Sequence, residues 1–301
     1  MKILNFGSCN IDYVYNVEDI VVPGETISAN SLELFAGGKG LNQSIAVAKA
    51  GATVYHAGCI GTDGEMLKEI LNENNVDTTY LKTADSKNGH AIIQVSKSGE
   101  NSIVLFGGSN QLVDKEYIDT VLSSFDKNDI IILQNEISNI EYIIDKAYQK
   151  GMQIVFNPAP FSENLKAIDL CKISYLILNE TECQGFAGTK EKSEALDTIL
   201  AKAQNLNVVL TLGKKGAVFA NNKQKVYQNA FSVTAVDTTA AGDTFIGYFV
   251  NGLTKEFSIE ENLKFCCAAS ALAVTKKGAA PSIPRYEEVA AALFTLKENN
   301  A

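Results

Sequence analysis

Three short runs decide how this chain folds: Ile130-Ile131-Ile132-Leu133, Ile154-Val155-Phe156-Asn157 and Tyr175-Leu176-Ile177-Leu178. Each is β-rich and each is followed by a polar or helical segment. Upstream the same alternation begins with Ile3-Leu4-Asn5-Phe6, a helical pattern over 40–50, Val54-Tyr55-His56-Ala57-Gly58 and a helical pattern over 65–74. Downstream it continues through Val208-Val209-Leu210-Thr211-Leu212-Gly213 and Ala217-Val218-Phe219-Ala220. Strands alternating with helices predict an α/β fold, a three-layer α/β/α core on a mainly parallel sheet with helices on both faces. Near the C-terminus the pattern becomes helical over 244–253, 259–276 and 286–297, punctuated by Gly or Pro.

Two stretches break the alternation, about 13–35 and 90–106. Both are strand-like, and the second alternates around a Ser98-Gly99 turn that suggests a hairpin. They predict a small second sheet. Two readings of it stand on pattern alone, a lid over a site or surface hairpins without function. With no repeat, low-complexity tract or linker, residues 1–301 are expected to form one domain carrying these inserts.

The 301 residues are 46% apolar, enough for a full core, and carry a net charge of -9, which gives no electrostatic reason to bind a polyanion such as DNA or RNA. The cysteines, Cys9, Cys59, Cys171, Cys183, Cys266 and Cys267, show no C-x-x-C spacing and read as reduced core thiols. No secretion signal opens the sequence, and no apolar run approaches the ~20 residues that span a bilayer. The expectation is a soluble cytoplasmic protein without a membrane or nucleic-acid partner.

The segment richest in chemistry is Asp237-Thr238-Thr239-Ala240-Ala241-Gly242-Asp243, directly before a helical pattern. Small residues let backbone approach a ligand, and the free N–H groups of a helix start attract anions, so this is a place to hold a phosphoryl group. The amides of Ala240, Ala241, Gly242 and Asp243 are the candidate anion hole and Asp243 the candidate base. An isolated Asp at a helix start is more often a cap. An aspartate near pKa 3.9 lies far below a hydroxyl, so any proton transfer accompanies bond formation, and such a site works by positioning. A second cluster, Gly37-Gly38-Lys39-Gly40-Leu41-Asn42-Gln43, opens the first long helical pattern. Neither it nor Gly213-Lys214-Lys215-Gly216 fits a P-loop, and no G-x-G-x-x-G follows the first strand, which weighs against a nicotinamide oxidoreductase.

Together these segments resemble the ribokinase-like carbohydrate kinase family over nearly the whole chain. The two glycine-containing motifs are joined, in order, by Asn10-Ile11-Asp12, Pro23-Gly24-Glu25-Thr26, Gln134-Asn135-Glu136, Asn157-Pro158-Ala159-Pro160, Asn179-Glu180-Thr181-Glu182, Thr211-Leu212-Gly213 and Lys277-Gly278-Ala279-Ala280-Pro281-Ser282. The resemblance implies transfer of the γ-phosphoryl of ATP to the 5-hydroxyl of D-ribose, with Asp243 as base. It implies sugar contacts at Asn10, Asp12, Gly38, Lys39, Asn42 and Glu136, and apolar lid contacts at Ala91 and Ile103. Carboxylates and amides suit a polyol, whose buried hydroxyls need paired partners.

For ATP the resemblance implies Asn179 and Glu182 near the phosphates and a hydrated Mg²⁺, with Thr211, Gly213, Gly216 and Gly242 lining the nucleotide. It implies K⁺ at Asp237, Thr239, Ala273, Lys276, Gly278 and Ser282, and a homodimer paired through the lid sheets. The chain departs from the family pattern at Tyr248, Val21 and Asn88, which bears on substrate preference rather than reaction type. Of the two histidines, His56 reads as structural, while His90 lies in the expected lid and is a candidate substrate contact. Deoxyribose, fructose or a nucleoside are alternative substrates on the same scaffold, and a non-catalytic sugar-binding regulator is the alternative of a different class.

Overall fold

A computed structural model describes residues 1–189 and 191–299. Among them the chain runs through β1 (Ile3–Phe6), β2 (Asn10–Val17), β3 (Ser31–Gly37), α1 (Lys39–Lys49), β4 (Val54–Ile60), α2 (Glu65–Glu73), β5 (Asp77–Thr83), β6 (Gly89–Ser96) and β7 (Asn101–Phe106). It continues through α3 (Lys115–Leu122), β8 (Ile130–Gln134), α4 (Ile140–Lys150), β9 (Gln153–Asn157), β10 (Tyr175–Asn179), α5 (Glu180–Ala187), α6 (Lys192–Lys202), β11 (Asn207–Thr211), β12 (Ala217–Ala220) and β13 (Lys225–Gln228). Three helices close it: α7 (Ala241–Thr254), α8 (Ile259–Ala273) and α9 (Tyr286–Ala292).

The large sheet has the order β13-β12-β11-β10-β9-β8-β1-β4-β5, and only β12 and β13 run antiparallel to their neighbours. The opening runs explain why it lies between two helical layers. Along β8, Ile130 and Ile132 pack into one core with residues of α1, α2, α7 and α8, such as Ile45, Leu67, Phe249 and Leu263. Ile131 and Leu133 point the other way, into a core with Ile118, Ile143, Phe186 and Ile199 of α3 to α6. Strand side chains alternate between faces, so a run apolar at every position must be covered on both.

The small sheet, β3-β2-β6-β7, joins both inserted stretches. β6 and β7 form the expected hairpin, but β2 and β6 run parallel, so the sheet is mixed rather than two independent hairpins. It also starts earlier than the pattern suggests, at Asn10, because Asn10 to Val17 pair residue for residue with Gly89 to Ser96.

Two C-terminal helices stop short of their sequence patterns. α8 ends at Ala273 because the Val274 carbonyl takes the amides of Val236 and Asp237, at 2.7 and 3.1 Å. α9 ends at Ala292 because the chain beyond it turns back to pair with the segment at Phe231, with Ser232 N donating to Lys297 O at 2.8 Å. Five of the six cysteines are buried thiols and Cys171 is exposed, which corrects the reading of all six as core residues. No helix among the described residues is long and apolar enough to cross a membrane.

Candidate active site

Glu136, Asn157, Asn179 and Thr211 lie at or just beyond the C-terminal ends of β8, β9, β10 and β11. In open parallel sheets ligands bind outside these ends, at the point where strand order reverses, here between β1 and β8. The start of α7 is brought over the same edge. Between them lies a cavity of about 220 Å³ lined by Lys39, Asn179, Glu182, Thr211, Ala240, Ala241, Gly242 and Asp243, among others.

Asp243 is only 8% exposed and does not cap its helix. Its oxygens reach α1 instead: Gln43 Nε2 donates to Oδ1 at 2.9 Å and Asn42 Nδ2 to Oδ2 at 3.2 Å. Ala240 precedes α7 in the left-handed conformation, φ 58°. The Ala241 amide leans on Thr238 O at 3.3 Å, whereas helix geometry gives the amides of Gly242 and Asp243 no intrahelical acceptor. The amides of Gly242 and Asp243 are therefore free for an anion.

The polar groups on the other side of Asp243 come from α1, β2 and the end of β8. Gly38, at φ 93°, turns the chain from β3 into α1, and a Cβ there would sit 3.0 Å from Asn10 N. A Cβ on Gly37 would meet Asp12 Oδ2 at 2.3 Å, so the glycine pair is what lets Asp12 and Asn10 lie against the α1 start. Glu136 accepts from the Lys39 amide at 2.9 Å and from the Ser8 hydroxyl. Asn42 Oδ1 is buried without a hydrogen-bond partner, an acceptor matched to a hydroxyl donor. Register puts Asp12, Ala91, Ile93, Ile103 and Leu105 on one face of the small sheet. Ala91 is buried there and Ile103 exposed.

The charges are crowded. Burial pushes the Asp12 carboxyl up to about 6, with Glu136 repelling it further. Burial also raises Glu136, against the attraction of Lys39. Burial opposes the charge on Lys39, but the carboxylates of Asp243, Glu136 and Glu182 outweigh it and raise the ammonium pKa. A carboxyl whose pKa is raised on folding takes up protons in the native state, so its ionisation costs stability as pH rises from the ordinary carboxylate range through 6. Asp12→Asn is therefore expected to raise Tm above pH 6, checked by thermal unfolding at pH 7.5.

Asn179 and Glu182 form a reciprocal capping box at the start of α5: Asn179 Oδ1 accepts from Glu182 N and Glu182 Oε2 from Asn179 N, both at 2.9 Å. The N-x-x-E spacing carried this signal in the sequence. Both residues still line the cavity, as does Thr211. Gly213 and Gly216 shape the β11–β12 turn, where a Cβ on Gly216 would lie 2.0 Å from Gln228 O. Asp237 ties two loops together, accepting from Thr239 N and Oγ1 through Oδ1 and from Gly278 N at 2.9 Å through Oδ2. Ala273, Lys276, Gly278 and Ser282 lie on the adjoining α8 end and loop. The Ser282 hydroxyl donates to Ala279 O at 2.8 Å.

One residue outside the sequence reading proves central. Asn110, buried in the turn after β7, donates to Asn10 Oδ1 at 2.7 Å and accepts from Cys9 N. Asn88, a departure from the family pattern, is buried and holds Gly61 N and Cys9 O. Tyr248 is buried, with its hydroxyl on Pro284 O at 3.0 Å, so its bulk joins α7 to the loop after Ser282. His90 packs between Tyr13 and Phe106 on the sheet face opposite Asp12, which corrects its candidacy as a substrate contact. His56 is structural: fully buried, pushed down to about 4 by that burial, and bonded to Ser44 and Cys9.

Comparison with known proteins agrees with this fold. The model of the pfkB family carbohydrate kinases matches residues 1–285. A ribokinase of Haemophilus influenzae is 37% identical over 94% of this chain and 95% of its own length. A deoxyribokinase of Salmonella typhi is 32% identical over 96% and 97%. The structure of Arabidopsis thaliana ribokinase complexed with ribose and ATP superposes with a TM-score of 0.85 at 29% identity, covering 97% of this chain and 98% of that one. With the family model spanning nearly the whole sequence and the two motif loops meeting at Asp243, this chain belongs to the pfkB family of carbohydrate kinases.

Proposed function

We propose that the chain transfers the γ-phosphoryl of ATP to the 5-hydroxyl of D-ribose, with Asp243 as the base. The observation that carries this reading is the buried Asp243 carboxylate, gripped by α1 amides on one side and opening, with the free amides of its own helix start, into the cavity. The sugar would lie against Asn10, Asp12, Asn42 and Glu136, its hydroxyl donating to Asp243. As the O–P bond forms, Asp243 takes the proton, and the amides of Gly242 and Asp243 with the Lys39 ammonium meet the charge on the γ-phosphoryl oxygens. Asn179, Glu182 and Thr211 would face the phosphates.

Two cations fit the residues present. Glu182, a carboxylate on the cavity wall beside Asn179, suits the outer shell of a hydrated Mg²⁺ carried by the nucleotide. The Asp237 region offers a carboxylate beside main-chain oxygens, hard donors suited to K⁺. A bound Mg²⁺ would neutralise phosphate charge, and K⁺ would orient the loop leading to Ala240. The small sheet is read as a lid whose closure excludes water, an alternative phosphoryl acceptor. Its exposed Ile103, Val104, Leu105 and Phe106, each at least 52% exposed, support pairing of two copies, and light scattering is expected to give a dimer.

The deciding experiment is a panel of ribose, deoxyribose, fructose and nucleosides with ATP and Mg²⁺, with and without K⁺. Ribose is expected to give the highest kcat/KM, with K⁺ raising the rate. Preference for deoxyribose, the second reading favoured by the Salmonella typhi relative, would move the substrate and leave the chemistry. Absence of any sugar phosphate would refute the assignment.

A further inference from the structure

We infer that Gln43 is a positioning residue for the phosphoryl transfer, held by a buried chain of amides so that its NH₂ group always faces Asp243 and selects which carboxylate oxygen meets the sugar. The inference rests on the reading of Asp243 as base.

Gln43 is fully buried in α1. Its Nε2 lies 2.9 Å from Asp243 Oδ1 and 3.2 Å from Asn157 Oδ1, and its Oε1 lies 2.8 Å from Gln134 Nε2. Gln134 Nε2 also reaches Asn5 Oδ1 at 2.9 Å. An amide side chain has two ends of nearly the same shape, so its partners decide which is nitrogen. Here backbone carbonyls, which only accept, decide at both ends. Asn157 must turn its nitrogen to Ile177 O at 2.9 Å, which leaves its oxygen toward Gln43. Asn5 must turn its nitrogen to Gly40 O at 2.8 Å, which leaves its oxygen toward Gln134. Gln134 then has to present nitrogen to both Asn5 and Gln43.

The two ends agree on Gln43. Its oxygen belongs to Gln134 and its nitrogen to Asn157 and Asp243. Turning it over would set oxygen against the oxygens of Asn157 and Asp243, and nitrogen against the nitrogen of Gln134, leaving buried groups mispaired. Asp243 Oδ1 thus faces a donor that cannot turn away. Oδ2 has only the longer 3.2 Å contact to Asn42, whose own oxygen is unpaired. Oδ1 is the anchored oxygen and Oδ2 the one left to take the hydroxyl proton.

Gln43→Met keeps side-chain length and removes the donor. It is expected to lower kcat about 10- to 100-fold while the ribose Kd, measured by calorimetry without ATP, stays within threefold. A purely structural role would lower Tm and leave kcat per folded molecule unchanged, and that result overturns the inference. Asp243→Asn is run beside it: if that variant keeps turnover, the base reading itself fails, whereas loss there with full kcat in Gln43→Met sinks only the role of Gln43. If Gln43→Met does not fold, Gln134→Met carries the test. Gln134 does not line the cavity, yet without its donor Gln43 is free to turn over. A several-fold fall in kcat at unchanged ribose affinity supports the inference, and an unchanged kcat overturns it.

Discussion

Asp243→Asn is expected to lose turnover by about 10³-fold while ribose still binds, a loss within the range that positioned general bases contribute. The substitution preserves shape and removes the basic oxygen. The remaining oxygen is claimed by Gln43 Nε2, the shorter of the two contacts to this side chain. The new NH₂ then faces Asn42, whose unpaired oxygen can turn to accept it, so the pocket keeps its hydrogen bonds and its fold. The proposed sugar contacts at Asn10, Asp12 and Glu136 are untouched. Coupled measurement of ADP release gives kcat, and calorimetry gives the sugar Kd. Turnover within tenfold of the parent protein would refute the role of Asp243, and loss of both turnover and binding would show that the carboxylate holds the sugar rather than activating it.

The parts of this site legible in the sequence are those whose residue type departs from its surroundings. Asp243 follows three small residues, and Gly37-Gly38-Lys39-Gly40 interrupts a strand-to-helix junction, so local pattern exposes both. The large sheet is legible for a related reason, since uniformly apolar runs such as Ile130 to Leu133 have only one kind of environment. What local pattern cannot show is polar groups paired across long sequence separation. Gln43 meets Asp243 across 200 positions and Gln134 meets Asn5 across 129. Each is one amide at the edge of an apolar stretch, where a solvated strand end or helix face explains it equally well. Asn110 was hidden likewise, in a Gly-Gly-Ser-Asn turn whose composition suggests only a loop. The early ends of α8 and α9 are set by backbone partners on distant segments, 236–237 and 230–232, and tertiary hydrogen bonds there override helical periodicity.

Lys39→Met is expected to be the second most damaging change, lowering kcat/KM for ATP by about 10²- to 10³-fold, comparable to removing one donor to transition-state charge. Among the described residues Lys39 is the only cationic side chain on the cavity wall, which it shares with Asp243 and Glu182. In the parent protein those two carboxylates and Glu136 raise its pKa despite burial, so it stays charged at every pH used for assay. Because the folded pKa lies above the ordinary lysine value, its stabilising contribution is complete below about pH 10 and lost only as pH climbs through the folded value. The variant should therefore lose Tm by a constant amount between pH 7 and 9. Its sugar binding should change differently. Burial already raises Glu136, and Lys39 is the group pulling it back, so without Lys39 the ionised form of Glu136 is lost at higher pH. The acid-side weakening of ribose affinity is then expected to begin at a higher pH than in the parent protein. Lys39→Arg, which restores the charge in a different shape, should return most of the sugar pH profile but less of the ATP efficiency. A Lys39→Met enzyme with unaltered ATP kinetics would remove the ammonium from the phosphoryl path and leave it as a counter-ion for Glu136 alone.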